Sequence, residues 1–462
     1  MRKLALLPVM LLLAVPAAAQ ERRAMTTDDG LDMIRVGGAT ISPDGSWVLF
    51  SKSELDWGEN ERKTTWWWVP TGGGEPYRFI GEEGGSGFQF SPDGSMLSFT
   101  RSVDEKSQLF LMRTDGGEAQ KLSKHKTSVG SYRWSQDGSK IFFVAAEPRS
   151  EEEEKARKDG DDAIFVDEGP SGQRAGTWNN FWVIDVASKE EKRITEVDHR
   201  IGSFAVSPGA DRIAFTSRSE NRRNQQNHSE IRLLDVESGE IRQLTENRAP
   251  ESRLVWAPDG QSLAYTARTD GEWELMLDKI WIMDPESGDK RMVSGAFDGN
   301  ISTFVWTPDA SAILFSGLQG TNNNLFRLDV GSGDVVKVTS ALGSLSPSSF
   351  SRDRTRMAYV FQDFDTPSDV WIGPTDGSSG VRLTDANPWI EEKIVLGKGE
   401  LIQWTSKDGT AIEGILMLPS GDPGEALPLL LHIHGGPAGV FRTAFSTQNH
   451  VWAGLGYAQL FP

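Results

Sequence analysis

Short apolar runs recur along most of the chain, each set off by polar turn residues and each too short for an ordinary helix. Trp47–Phe50, Ile141–Val144, Ile213–Phe215 and Ile313–Phe315 are four of them, and each follows a turn. The turns resemble one another: Ser42-Pro43-Asp44-Gly45, Ser91-Pro92-Asp93-Gly94, Ser135-Gln136-Asp137-Gly138, Ser207-Pro208-Gly209, Ala257-Pro258-Asp259-Gly260, Thr307-Pro308-Asp309 and Ser351-Arg352-Asp353. Their second positions fall at 43, 92, 136, 208, 258, 308 and 352, so the spacing is 44 to 50 residues apart from one gap of 72. Proline presets φ for the first turn position, Asp bonds its own backbone, and Gly takes positive φ.

Each turn predicts a strand on either side. Further strands follow at Phe181–Asp185, Ile231–Asp235, Ile280–Asp284, Leu325–Asp329 and Val370–Ile372, and their partners close on Ile194-Thr195, Leu244-Thr245, Val293-Ser294, Val338-Thr339 and Leu383-Thr384. Four strands per copy at this period predict an all-β seven-bladed β-propeller, because one small sheet cannot bury both faces alone. Period-two alternation and Gly/Pro punctuation count against a helical solenoid. The long gap holds an acidic insertion at 151–176, read as a solvated loop.

The pattern changes after Thr384. A hairpin is predicted from Leu401–Thr405 and Ile412–Leu418, then a dense apolar strand Leu429–His434 running into Gly435-Gly436-Pro437, a helix over Thr443–Leu455, and a strand Tyr457–Phe461. Continuous apolar strands of this kind are buried on both faces of an α/β sheet. A strand that runs into His-Gly-Gly and then a helix is the oxyanion-side loop of α/β-hydrolases, where backbone N–H groups must approach a substrate carbonyl. His434, Gly435, Gly436 and Pro437 are therefore the candidate oxyanion loop.

Composition narrows the chemistry. With 48 Lys plus Arg against 66 Asp plus Glu, the net charge is −18, which argues against nucleic-acid partners. There is no cysteine, which removes disulfides, thiolate metal sites and a Cys nucleophile. His432 and His434 lie on one side of a strand with no third ligand nearby, so no metal and no cofactor are expected. The sixteen tryptophans are read as filling between blades. Arg2 and Lys3, the apolar run Leu4–Val15 and Ala17-Ala18-Ala19 form a secretory pattern over residues 1–19, too short to span a bilayer. An exported, periplasmic or extracellular protein without a membrane span is expected.

A seven-copy propeller followed by this hairpin and by His434-Gly435-Gly436-Pro437 resembles the prolyl oligopeptidase family of serine peptidases, chiefly its acylaminoacyl-peptidase-like and dipeptidyl-peptidase-like members. The resemblance implies a propeller at 25–385, with TolB-like repeats, gating access for short peptides. It implies the start of an α/β-hydrolase domain at 386–462, and an acyl-enzyme mechanism. No Gly-x-Ser-x-Gly occurs in the 462 residues. The hydrolase domain is thus expected to be incomplete, with Ser, Asp and His beyond Pro462 and no catalytic residue in this chain. A periplasmic TolB-like binding module and an esterase on the same scaffold are the competing readings.

Overall fold

The computed structural model describes residues 22–81, 84–161, 177–222, 225, 227–269, 275–420, 426–436 and 439–462. The secretory pattern, most of the acidic insertion and Pro437 lie outside the described residues. What the insertion does show is the helix Glu151–Lys158, with Ser150 and Glu153 forming a capping box at its start.

The architecture is nearly all β. Four-stranded antiparallel sheets follow one another along the chain, the first made of Arg35–Ile41, Trp47–Asp56, Glu61–Pro70 and Tyr77–Arg78. An eight-stranded sheet ends the series; it comprises two such sets, 300–337 and 344–382, joined by one parallel bridge between Asn323 and Ser344. In every set the strands pair in sequence order, and no strand from one end of the chain completes a set at the other.

The repeated turn lies between the first and second strands of its set. Ser42 Oγ accepts from the backbone N–H of Trp47 at 3.0 Å and Asp44 accepts from that of Ser46 at 3.1 Å. The same bonds recur at Ser91 and Asp93, and at Ser351 and Asp353. Gly45, Gly94, Gly138 and Gly260 have φ of 70–80° as expected, but Ala210, Ala310 and Arg354 occupy the same position at 56–58°. At the close of every set but the first a hydroxyl takes the place of a strand bond: Ser123, Thr195, Thr245, Ser294, Thr339 and Thr384 each accept a backbone N–H fourteen residues earlier at 2.8–3.0 Å.

Each first strand also carries a register shift against the second, as between Gly37 and Thr40 or Ile201 and Phe204. Such bulges add twist where strands crowd together. The core is a chain of clusters, each straddling two sheets adjacent in sequence: Leu49 and Trp68 with Leu97 and Phe99, then Phe142 and Phe181 with Phe204 and Phe215, and so on. One cluster joins the two ends of the series, packing Val36, Ile41 and Phe50 against Ala358, Val370 and Ile372. Arg352 N–H donates to Pro43 O across that seam at 2.9 Å. The sheets therefore form a closed ring held at its seam by packing and turn contacts.

The tail is a mixed sheet in the order Lys398–Thr405, Ala411–Leu418, Ala458–Phe461, Leu429–Leu431. The last two are parallel, and the crossover between them contains the helix Thr447–Gly454. Residues 22–33 join this part: Arg23–Ala24 pairs with Ile394–Val395, and Met25 and Met33 pack with Ile390, Ile394, Phe445 and Val451. Arg23 and Asp29 form a two-pronged ion pair at 2.6 and 2.7 Å, holding the Asp29 carboxyl well below its ordinary range. The tail sits on the end of the ring formed by the turns between second and third strands. There Thr443 N–H donates to Thr321 O and His450 Nε2 to Phe364 O, both at 2.8 Å. Among the described residues no helix is long and apolar enough to cross a membrane.

Candidate active site

Strand pairing ends at Leu431, short of the glycine loop, and His432 N–H makes one further bond to Leu460 O at 2.9 Å. From here side chains alternate. Leu430, His432 and His434 turn toward the covered side, whereas Leu429, Leu431 and Ile433 are 57%, 56% and 80% exposed. The strand is thus shorter than Leu429–His434, and it is covered on one face only. Among the described residues nothing packs over the outer face.

The covered side is aromatic. The His432 ring stacks on Phe461 at 4.3 Å between centroids, and His434 meets Phe441 edge-on at 5.6 Å. His432 Nε2 is buried with no hydrogen-bond partner among the described residues. His434 Nδ1 lies 3.3 Å from Gly435 O, so the ring props the backbone of its own loop.

Glycine is required at Gly436 and Gly439, for different reasons, and not at Gly435. Gly436 has φ of 133°, which side chains disfavour. A Cβ on Gly435 would meet nothing within 4 Å. At Gly439 it would stand 2.6 Å from Gly435 O and 2.8 Å from His434 Nδ1, so only glycine lets the returning chain close over the loop. Gly435 and Gly436 are exposed, and neither N–H donates to a described residue. Two adjacent N–H groups of this kind beyond a parallel strand suit a developing oxyanion. Among the described residues no group of three or more His, Asp or Glu side chains is placed to hold a metal ion.

Two contributors escaped the motif reading. Gly439 is one; its role depends on a chain reversal that no local pattern announces. His450 is the other. It is fully buried, burial pushes its pKa down to about 4, and it donates to Phe364 O, locking the helix Thr447–Gly454 to the ring. The only sign in the sequence is local: His450 opens the apolar half of the helix, directly before Val451, Trp452 and Ala453.

No family model matches the chain. It is 25% identical over 470 residues to the Bacillus subtilis protein described as "Uncharacterized peptidase YuxL", covering 95% of this chain and 70% of that one. It is 22% identical over 268 residues to dipeptidyl-peptidase 5 of Porphyromonas gingivalis, covering 57% of this chain and 39% of that one. The acylaminoacyl peptidase of Pyrococcus horikoshii superposes with a TM-score of 0.73 at 19% identity, over 95% of this chain and 66% of that one. The chain thus spans about two thirds of that solved structure and less of the dipeptidyl-peptidase. The relatives are peptidases and the structural neighbour shares the fold, in line with the resemblance to the prolyl oligopeptidase family.

Proposed function

We propose that the chain is the propeller, and the leading part of the catalytic domain, of an exported serine peptidase that hydrolyses short peptides through an acyl-enzyme. The ring is read as seven blades over 25–385, and 386–462 as linker and the opening of an α/β-hydrolase domain. In this reading Gly435 and Gly436 hold the oxyanion, His434 positions them, and the propeller restricts access to short peptides. On the same reading the serine, histidine and aspartate of the triad lie outside these 462 residues, which contain no Gly-x-Ser-x-Gly. The observation that carries the reading is the pair of N–H groups, Gly435 and Gly436, that donate to no described residue beyond a parallel strand, on a chain that aligns with a peptidase over 95% of its length.

The mechanism assigns the protein's present residues one task. As a nucleophile attacks a peptide carbonyl, negative charge grows on its oxygen, and N–H donors already fixed in place stabilise that state more than the ground state. The test is turnover of blocked and free short peptides, with fluorophosphonate labelling, by the 462-residue chain and by any longer product of its gene. The longer product should turn over and label; this chain should do neither. Peptide binding without turnover or labelling in both would favour a binding module. Turnover of esters alone would favour an esterase.

A further inference from the structure

The ring has a second open end, opposite the tail, where the turns between first and second strands converge. A cavity of about 670 Å³ lies there, within the roughly 300–1,000 Å³ typical of small-ligand sites. Its lining includes Arg133, Arg352 and Arg354 and no Asp or Glu. In a chain of net charge −18 this is a local reversal of sign.

The repeat does not call for arginine at these three positions, although the Arg133 guanidinium also lies 5.4 Å from the centroid of the Phe204 ring. Arg133 stands on a first strand where the equivalent positions are Thr40, Gln89, Ala205, Val255, Val305 and Ser349. Arg352 replaces the proline and Arg354 the glycine of the repeated turn. Arg354 holds φ of 58°, a conformation the repeat elsewhere gives to Gly or Ala. Strain of this kind at a non-glycine residue points to a use for the side chain.

Their donors are largely uncommitted. Arg133 donates to Tyr132 O at 2.7 Å and Arg354 to Ser351 O at 3.2 Å; none of the three forms an ion pair with a described residue. Asp353, the nearest carboxylate in sequence, accepts instead from Ser351 and Thr355. The aromatic wall offers no competing donor, since Trp134, Trp256 and Trp306 spend their indole N–H on Ser98 Oγ, Ala205 O and Val255 O at 2.8–3.1 Å. Burial lowers the pKa of Arg133 and Arg354, yet guanidinium stays charged at neutral pH.

We propose that this cavity binds the carboxylate of a short peptide, with the guanidinium groups of Arg133, Arg352 and Arg354 as its donors. Guanidinium and carboxylate match in planar two-pronged geometry, and apolar walls suit the rest of a peptide. The choice of a peptide as carrier of the carboxylate rests on the peptidase reading; the site itself is tested by binding alone.

Isothermal titration calorimetry of the 462-residue chain at low salt, with an N-acetylated tripeptide as free acid and as C-terminal amide, separates the two questions. The free acid should bind at least tenfold more tightly, acetate should compete with it, and Arg133→Gln with Arg352→Gln should erase the preference. Arg354→Gly should weaken binding of the acid while raising the melting temperature, because it removes the strained residue; loss of binding then cannot be loss of fold. Equal affinity for acid and amide, no binding of either, or a preference that survives the double substitution would overturn the site. None of these outcomes depends on turnover, so a failed peptidase assay leaves the result legible.

Discussion

The ring and the tail are built from similar strands but finished differently. In the ring every sheet finds a neighbour on both faces. All twelve of the largest fully buried side chains, Tyr265 and Phe315 among them, lie between residues 49 and 315. In the tail one face of the sheet is covered by Phe364, Phe441 and Ala453, while Leu429, Leu431 and Ile433 stand outward. A β-sheet whose second face is open loses much of the burial that makes strands worth ordering. The difference teaches that strand pairing alone does not make the two parts equally secure.

The sharpest way to break this comparison is to hollow the ring. Phe215 is fully buried against Phe181 at 5.1 Å and sits between two successive sheets. Phe215→Ala should cost about 3–5 kcal/mol in denaturant unfolding. A loss under about 1 kcal/mol would mean the ring repacks freely and is no better closed than the tail.

Acid should separate the two parts next. His450 has its pKa lowered to about 4 by burial, so the folded tail holds the neutral ring. The unfolded chain takes up a proton below about 6.5 while the folded tail resists, and stability of the tail is lost as pH falls from about 6.5 toward 4, by roughly 3 kcal/mol at most. The ring contains the opposite case. Burial, reinforced by Glu230, pushes Glu251 up to about 7 despite bonds from Thr245, Asn247 and the N–H of Ile231. Its neutral form is favoured when folded, so that contribution is lost as pH rises from about 4.5 toward 7. Hydrogen-exchange protection, taken relative to the intrinsic amide rate at each pH, should fall at 447–461 on acidification while that at 251–256 rises. Parallel behaviour would remove the contrast, and His450→Gln should flatten the tail's response.

A smaller effect probes what the two parts share. Ser406 and Asp408 in the tail hairpin form the same side-chain contact as the ring turns, and Gly409 has φ of 88°. Gly260 in the ring has φ of 70°, with Pro208 Cδ 3.6 Å from where a Cβ would stand, so space is ample and only conformation resists. Gly260→Val should cost about 1–2 kcal/mol by thermal melting. An unchanged melting temperature would count against the turn as a determinant of the repeat.

These turns explain how much was legible in advance. Residues that act through local backbone geometry announce themselves, so the Ser-Pro-Asp-Gly copies and the closing Thr residues located the strands and their order. The bulges were only half visible: Gly38 and Gly87 adopt positive φ there, but Arg253 does the same work in another sheet. Contacts between distant segments left no local trace. Nothing in the sequence places Met25 and Met33 against Ile390 and Phe445, or Thr443 against Thr321. At the candidate site the loop residues were read from the strand that runs into them, while Gly439 matters only through the path of the returning chain. The apolar run Leu429–His434 asks for cover on both faces, and with one helix candidate at hand the open outer face of Leu429, Leu431 and Ile433 was legible, though which side would open was not.

The smallest change in stability tests the open face itself. Ile433 is 80% exposed beside Leu429 and Leu431, and Val440 and Leu455 are exposed in the same part of the chain. Contiguous apolar surface of this kind, next to a short edge strand, invites association with another molecule. Replacing Ile433 by Ser removes apolar surface that water already touches, so folding stability should move by no more than about 0.5 kcal/mol. Self-association should respond far more, because the side chain contributes to a contact only when a second surface covers it. Sedimentation velocity of the 462-residue chain over a concentration series should show association that Ile433→Ser reduces, while the Phe215→Ala protein, though less stable, retains it below its unfolding transition. If the chain stays monomeric throughout, or if Ile433→Ser unfolds it, then this face is either covered or structural, and the contrast between a finished ring and an open tail fails.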